Sequence, residues 1–182
     1  MKRVRQTVKY LLVIAILLLL YGYYAMVYPT REAVMRDYER GHRYGPSKDI
    51  LLDYTGANGN GVLLGKVEDH VLSMVSVRPT HWFFLTYTGG EICQIEEPWK
   101  AKGLYDYKSG LVYGVADVPD GTVLTCYLNM ITENRDDAKQ VEVVVQDGFF
   151  WTDHYILEAA ERNEYVMVWC IVDETGKVLY QQ

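Results

Sequence analysis

The sequence predicts a mainly β protein of the α+β class, in which an N-terminal transmembrane helix precedes one compact domain. We expect that domain to be β-sandwich-like or a strongly bent sheet, with two or three short helices. Three features predict this architecture: a long uncharged apolar run near the N-terminus, a two-residue hydrophobic period over much of the remaining chain, and turn-forming residues between the periodic segments. The 16 tyrosines among 182 residues also favour strands, because aromatic side chains fit the half-buried surface of a sheet.

The apolar segment of residues 10–28 has the length and composition of a transmembrane helix. No charged side chain occurs from Tyr10 to Thr30, and residues 10–28 would form a helix about 28 Å long, close to the hydrocarbon thickness of a bilayer. A cleaved signal peptide would need small residues at positions −3 and −1 of its cut site, but the candidate Ala25 has Tyr23 two places before it. We therefore expect a retained signal anchor rather than a cleaved signal or a buried soluble helix.

The residues that flank the apolar segment predict its orientation. Residues 1–9 contain four basic side chains and no acidic one, which favours a cytoplasmic tail and places the C-terminal domain outside the cell membrane. Tyrosines near the other end would form a belt at headgroup depth: Tyr21, Tyr23, Tyr24 and Tyr28. The lipid bilayer is thereby predicted as a partner of residues 10–28.

Residues 29–54 are predicted to form a juxtamembrane helical segment. A first short helix spans Arg31–His42, with Thr30 as its N-cap. In "YGPSKDILLDY" a turn is followed by a second short helix, for which Ser47 is the expected N-cap. The stretch after it, residues 55–61, is rich in Gly and Asn and predicts a loop.

Period-two patterns and turn residues predict nine strands in an extracytoplasmic β domain of residues 55–182. They are Val62–Val67, Val71–Val77, Trp82–Thr88, Glu91–Ile95, Leu111–Val118, Val123–Thr132, Gln140–Gln146, Tyr165–Asp173 and Lys177–Tyr180. The pair Gly89–Gly90 is one of the turns expected between them. Two predictions stay open for residues 149–162: a continued strand from Phe149, or a short helix capped by Asp153.

The charge distribution excludes one class of partner. The formal net charge is −6, and from Arg31 onward the balance is 14 basic against 24 acidic residues, or −10. An acidic domain of this size repels phosphate backbones, so nucleic acid is not expected as a partner.

No motif in the chain predicts a catalytic, metal or cofactor site. "GNGVLLGKV" lacks the first glycine and the final hydroxyl of a phosphate-binding loop, and it precedes a predicted strand rather than a helix. The cysteines, Cys93, Cys126 and Cys170, are widely spaced and odd in number. This favours buried, reduced core residues over a disulfide between two of them. The four histidines show no metal-ligand spacing.

The loop "EEPWKAKGLYDYKSG" holds the candidate ligand-binding residues Trp99, Tyr105 and Tyr107. Exposed aromatic rings beside charged and amide groups stack on sugar faces or pack against a partner protein. A purely structural alternative is that Trp99 closes one end of the sandwich while the tyrosines cover a sheet edge. The sequence leaves both alternatives open.

Three stretches of the last third of the chain carry a resemblance: "LVYGVADVPDGTVLTCYLN", "VEVVVQDGFFW" and "YVMVWCIVDETGKVLYQQ". Within residues 111–182 they resemble the C-terminal part of uncharacterised single-pass exported proteins of low-GC Gram-positive bacteria. The shared features are turns and strands rather than active-site residues. The resemblance implies a bacterial single-pass protein that faces the cell surface, and it implies no catalytic residue.

Three functions are compatible with these patterns. The first is a membrane-anchored extracytoplasmic interaction module without enzymatic activity, which binds a surface protein. The second is a module that binds cell-wall glycans or another surface polymer through the aromatic loop. The third is a hydrolase with an unrecognised site, for which a deep pocket joining a histidine to a carboxylate would be the sign.

Overall fold

A computed structural model of the chain describes residues 2–43, 45–56, 60–80, 84–106, 109–130, 139–152 and 166–182. Two helices occur in these residues, α1 (Lys2–Ala25) and α2 (Arg31–His42). The strands are β1 (Asp49–Thr55), β2 (Gly61–Glu68), β3 (Val71–Pro79), β4 (Leu85–Gln94), β5 (Ala101–Asp106), β6 (Leu111–Ala116), β7 (Val123–Met130), β8 (Lys139–Val144), β9 (Phe149–Thr152), β10 (Val166–Asp173) and β11 (Val178–Gln181). The predicted mainly β architecture with an N-terminal apolar helix is confirmed.

The strands form three antiparallel sheets that stack through layers of buried side chains. Sheet A has the order β1-β2-β3-β4, sheet B the order β5-β6-β9, and sheet C the order β11-β10-β7-β8. One cluster, with Leu72 and Tyr113, joins sheets A and B, and a second, with Phe150 and Ile171, joins sheets B and C. Sheet B is therefore covered on both faces, which explains why every residue of β6 is buried.

Helix α1 is long and apolar enough to cross a membrane. Its window Gln6–Tyr23 has a mean hydropathy of 1.6, and no residue of that window is buried in the protein. Of the predicted headgroup belt, Tyr21 and Tyr23 are exposed on α1, and the side chain of Tyr24 lies outside what the structure describes.

The connection between α1 and the domain, here called the neck (residues 26–30), is tied down by hydrogen bonds. Helix α1 ends at Ala25, and Tyr28 forms a β-bridge with Leu85 through amide-to-carbonyl bonds of 2.7 and 2.8 Å. The Tyr28 hydroxyl donates to Asp37 Oδ2 at 2.5 Å. The Tyr28 hydroxyl therefore binds the domain rather than water, and the headgroup depth of its ring stays a prediction.

Helix α2 packs one face on sheet A, and Thr30 caps it as predicted. The Thr30 hydroxyl accepts a hydrogen bond from the Ala33 amide at 3.2 Å. The face with Val34, Met35 and Tyr38 is buried against side chains of β2, β3 and β4. This amphipathic pattern confirms the first short helix of the juxtamembrane segment.

The second short helix predicted within residues 29–54 is wrong, because its residues form β1. Strand β1 pairs antiparallel with β2. Ser47, the predicted N-cap, instead donates from its amide to the buried Glu39 carboxylate at 3.0 Å, and its hydroxyl donates to the same carboxylate. A helix of about two turns is weakly stable by itself, so the ladder with β2 prevails.

Strand β4 runs unbroken through Gly89–Gly90, where the sequence predicts a turn. The predicted strands Trp82–Thr88 and Glu91–Ile95 are therefore joined into one strand, which begins at Leu85. A Cβ on Gly90 would lie 2.5 Å from the ring of Tyr38. The glycine permits close packing of α2 on β4 rather than a reversal of the chain.

The remaining strand predictions divide between confirmed and missed elements. Seven predicted strands correspond to β2, β3, β6, β7, β8, β10 and β11. Strand β5 lies in the stretch predicted as a loop. Strand β9 spans Phe149–Thr152, which both alternatives for residues 149–162 allow. The choice between a strand through Leu157 and a helix capped by Asp153 through Ala160 concerns residues 153–162, which lie outside the described ranges.

Candidate functional site

A groove runs along the edge of β5, beside β10 and β11, with a volume of about 540 Å³. The side chains that line it include Glu91, Trp99, Lys102, Tyr105, Met167 and Tyr180. They come from three parts of the chain: the end of β4 with its following loop, strand β5, and the hairpin of β10 and β11. The groove therefore exists only in the folded domain.

Trp99 is held beside β11 by the connection between β4 and β5. The Trp99 amide donates to the Glu96 carbonyl at 2.9 Å, and the Lys100 amide donates to the Leu179 carbonyl of β11 at 2.9 Å. The Trp99 ring meets the Tyr180 ring edge to face, with centroids 6.0 Å apart. Trp99 thus packs on the edge strand β11, whereas the structural alternative predicts that it closes one end of the sandwich and that the tyrosines cover a sheet edge. Its side chain remains half-exposed in the groove.

Tyr105 projects from β5 with its ring half-buried against the core between sheets B and C. Its hydroxyl oxygen is enclosed and has no hydrogen-bond partner within the described ranges, and burial raises the pKa of this phenol. An enclosed hydroxyl without a partner costs roughly 1–3 kcal/mol. A ligand that reaches this hydroxyl would recover part of that energy. Tyr107, the third predicted residue, lies outside the described residues.

Among the described charged side chains of the groove, Lys102 forms an ion pair with Glu96, and Glu91 forms no ion pair. Lys102 Nζ donates to Glu96 Oε1 at 2.6 Å, and this bond raises the pKa of Lys102. Partial desolvation raises the pKa of the Glu91 carboxyl, although the nearby charge of Lys102 opposes that shift. The groove is therefore acidic at Glu91, which favours a ligand with a positive charge or with hydrogen-bond donors.

Within the described residues, strand β5 has a strand partner on one side and a free backbone edge on the other, toward the groove. It is an edge strand of sheet B and pairs with β6 on one side only. The Asp117 amide donates to the Lys100 carbonyl at 2.8 Å, and the antiparallel alternation then directs the backbone groups of Lys102 toward β6. The amides and carbonyls of Gly103 and Tyr105 point away from β6. An edge of this kind can accept a further strand.

Sequence reasoning identified one wall of the groove and missed the other. Met167 and Tyr180 face Trp99 and Tyr105 because β10 and β11 pack beside β5, and no local spacing links these residues. For Tyr180, the signal is the alternation of buried and exposed side chains along β11. Leu179 is buried and Tyr180 is half-exposed, which marks Tyr180 as a surface aromatic.

The three cysteines are free and buried, as the sequence predicts. Burial raises the pKa of Cys93 and of Cys126 to about 12, and it also raises the pKa of Cys170. At neutral pH these side chains are thiols, which are weak nucleophiles. Cys93, Cys126 and Cys170 therefore belong to the core rather than to a reactive site.

The described histidines do not meet the sign expected of a hydrolase. His70 Nε2 lies 4.0 Å from Asp117 Oδ1, but both side chains are about half-exposed and neither lines the groove. His81 and His154 lie outside the described ranges. Within those ranges no three histidine, cysteine, aspartate or glutamate side chains converge as metal ligands.

No protein-family model, curated protein or solved structure matches this chain.

Proposed function

We propose that this protein is a membrane-anchored, extracytoplasmic interaction module that binds a segment of another surface protein without catalysis. Helix α1 is retained as a signal anchor, with the N-terminus in the cytoplasm and the β domain outside. The length and apolar surface of α1 support the anchor, and the basic residues before Tyr10 support the orientation. The resemblance of residues 111–182 to exported bacterial proteins supports a place on the bacterial cell surface.

The observation that carries the binding proposal is the open edge of β5 in a groove with aromatic walls. An extended peptide that adds to β5 would bond to the backbone of Gly103 and Tyr105. Its side chains on one face would reach Trp99 and Tyr180, and a basic side chain would meet Glu91.

Selection of peptides from a random display library against the purified domain tests this proposal. Binding of the selected peptides should fall at least about tenfold in Trp99→Ala, because the change removes a large aromatic contact. Tyr127→Ala is the matched control, since Tyr127 packs on Trp169 in sheet C and does not line the groove. N-methylation at alternate peptide residues should abolish binding, because it removes backbone donors and keeps the side chains. Binding that tolerates N-methylation at every position would contradict strand addition.

Binding of cell-wall glycans is a second candidate, which the aromatic rings of the same groove favour. Trp99 and Tyr180 present ring surface beside carboxylate and amide groups, a combination that stacks on sugars. Glycan-array binding that is lost in Trp99→Ala and kept in Tyr127→Ala would favour this candidate, if the library yields no peptide.

A further inference from the structure

A polar cleft lies where the hairpin of β3 and β4 meets the end of α1. It is lined by Tyr21, Ala25, Val27, Arg78, Pro79 and Thr80. The hydroxyl and the amide of Thr80 both donate to the Phe84 carbonyl, at 2.9 and 2.8 Å. These bonds use the Thr80 donors. Among the described residues that line the cleft, Arg78 carries the charged side chain.

The neck holds Arg78 close to the point where α1 ends. Arg78 is paired with Thr86 across the ladder of β3 and β4, which puts both side chains on one face with Cβ atoms about 5 Å apart. The Thr86 hydroxyl donates to the Met26 carbonyl, directly after α1, at 3.1 Å. The rings of Tyr21 and Phe84 pack together with centroids 6.1 Å apart. Arg78 therefore sits at the level of the tyrosines that end the apolar segment, which is the headgroup level of a spanning helix.

Arg78 is one of the basic side chains that form no ion pair with a carboxylate within the described residues. Six described basic side chains form ion pairs: Arg31, Arg36, Arg40, Lys66, Lys100 and Lys102. Arg78 is exposed, and within the described residues it forms neither an ion pair nor a side-chain hydrogen bond. Since the chain from Arg31 onward carries a net charge of −10, an unpaired guanidinium beside the anchor is a site for an external anion.

An apolar cleft shares Val27 with the polar cleft and continues along α1. It is lined by Leu18, Leu19 and Tyr23 of the helix and by Phe84 of the domain, among other residues. A cation beside an apolar channel matches a molecule that carries an anionic group on an acyl chain.

We propose that the polar and apolar clefts together bind one phospholipid, with its phosphate on Arg78 and an acyl chain along Leu18 and Leu19. A guanidinium binds two phosphate oxygens at once, which favours a phosphate over a single hydroxyl. This proposal rests on the proposed membrane span of α1, and it is independent of what the groove along β5 binds.

Native mass spectrometry of the full chain in a neutral detergent tests the site, with dioctanoyl-phosphatidylglycerol as the probe. One lipid should bind, and Arg78→Gln should weaken binding about tenfold, because a charge-assisted phosphate contact is lost. Arg78→Lys should give an intermediate affinity, since it keeps the charge but loses the planar guanidinium that binds two phosphate oxygens at once. Both variants should melt like the parent chain, because Arg78 is exposed.

Three controls test whether lipid binding depends on the phosphate group, on the acyl chains and on the position of the arginine. Lys48→Gln removes an equal charge at the other end of sheet A, where the Lys48 amide bonds to Lys66 about 20 Å along the strands from Arg78, and it should leave binding unchanged. Two partial probes should each bind at least about tenfold more weakly than the lipid. Dioctanoylglycerol lacks the phosphate, and inorganic phosphate lacks the acyl chains. Equal binding by Arg78→Gln and the parent, equal loss in Lys48→Gln, or equal binding of either partial probe would overturn the proposal. Cleavage of α1 in cells would refute the anchor but leave this titration valid, so the two failures are distinguishable.

Discussion

The carboxylate of Glu39 joins helix α2 to the start of sheet A. Glu39 is only 1 % exposed and accepts hydrogen bonds from the amide and the hydroxyl of Ser47. Gly65 of β2 leaves room for this contact, because a Cβ there would lie 2.2 Å from the Ser47 hydroxyl oxygen. One buried side chain thus binds the residue that the sequence predicts as a helix cap, and it directs the following residues into a strand.

Glu39→Ala should lower the free energy of unfolding by about 1–3 kcal/mol, because it leaves the two donors of Ser47 without their acceptor. Glu39→Gln should lower it less, since an amide oxygen still accepts one hydrogen bond. Urea unfolding of the full chain in mild detergent gives the comparison. Glu32→Ala is the control on the same helix, because Glu32 is exposed and its ion pair among the described residues is with the exposed Arg36. Equal stability of the Glu39→Ala and Glu32→Ala chains would contradict the role given to Glu39.

The buried thiol of Cys126 predicts how stability changes with pH. Its pKa rises from 9.0 to about 12 on folding, so between these values the unfolded chain loses a proton that the folded chain keeps. The folded state therefore loses stability as the pH rises through this window, by up to about 1.4 kcal/mol per pH unit for each such group. Cys126→Val keeps the volume and should change stability by less than about 1.5 kcal/mol at pH 7. Its unfolding free energy should fall less steeply above pH 9 than that of the parent chain, and an unchanged slope would refute the buried thiol.

Among the structural elements, the neck connects α1 to sheet A through an isolated β-bridge. It contributes the bridge between Tyr28 and Leu85, the bond from Tyr28 to Asp37, and the Thr30 cap of α2. A soluble fragment of residues 26–182 should therefore melt at a higher temperature than one of residues 31–182.

The expected difference between the two fragments is roughly 4–8 °C, if the neck contributes about 2 kcal/mol to a domain of this size. Differential scanning calorimetry measures it. Tyr28→Phe in the longer fragment removes only the hydroxyl bond and should give an intermediate melting temperature. Identical melting of both fragments would show that the neck is a passive linker.

The packing of α2 on β4 depends on the absence of a side chain at Gly90. Gly90→Ala should destabilise the domain by about 1–3 kcal/mol, because its Cβ would meet the Tyr38 ring and the Met74 carbonyl oxygen, 2.5 and 2.6 Å away. Gly41→Ala is the matched control within α2, where no atom lies within 4 Å, and it should stabilise by about 0.5–1 kcal/mol. Chemical unfolding of both variants measures the sign of the change in the free energy of unfolding. A stabilised Gly90→Ala chain would exclude the close contact between Gly90 and the Tyr38 ring.

For the molecule as a whole, the anchor and its orientation set where the groove works. We expect the mature protein to keep residues 10–28, with the β domain outside the cell. The intact mass of the protein from the membrane fraction, combined with protease treatment of whole cells, tests both expectations. A mature N-terminus near residue 26, or a domain that external protease does not reach, would refute them.

Local sequence patterns were sufficient to predict those parts of the fold that are determined by residues close together in the chain. The uncharged run of α1, the cap at Thr30 and the alternating strands such as β7 and β8 all arise from neighbouring residues along the chain, so spacing and composition predict them. The same holds for the candidate site, since Trp99 and Tyr105 were identified as aromatics in a polar stretch.

Long-range contacts determined the rest, because their partners are distant in sequence. Strand β1 depends on pairing with β2, the course of β4 depends on the ring of Tyr38 over Gly90, and Tyr28 leaves the apolar segment because it pairs with Leu85. The second wall of the groove follows from the packing of β10 and β11 beside β5. Each of these outcomes is set by which backbone and side-chain groups meet in space, and no periodicity within a short window contains that information.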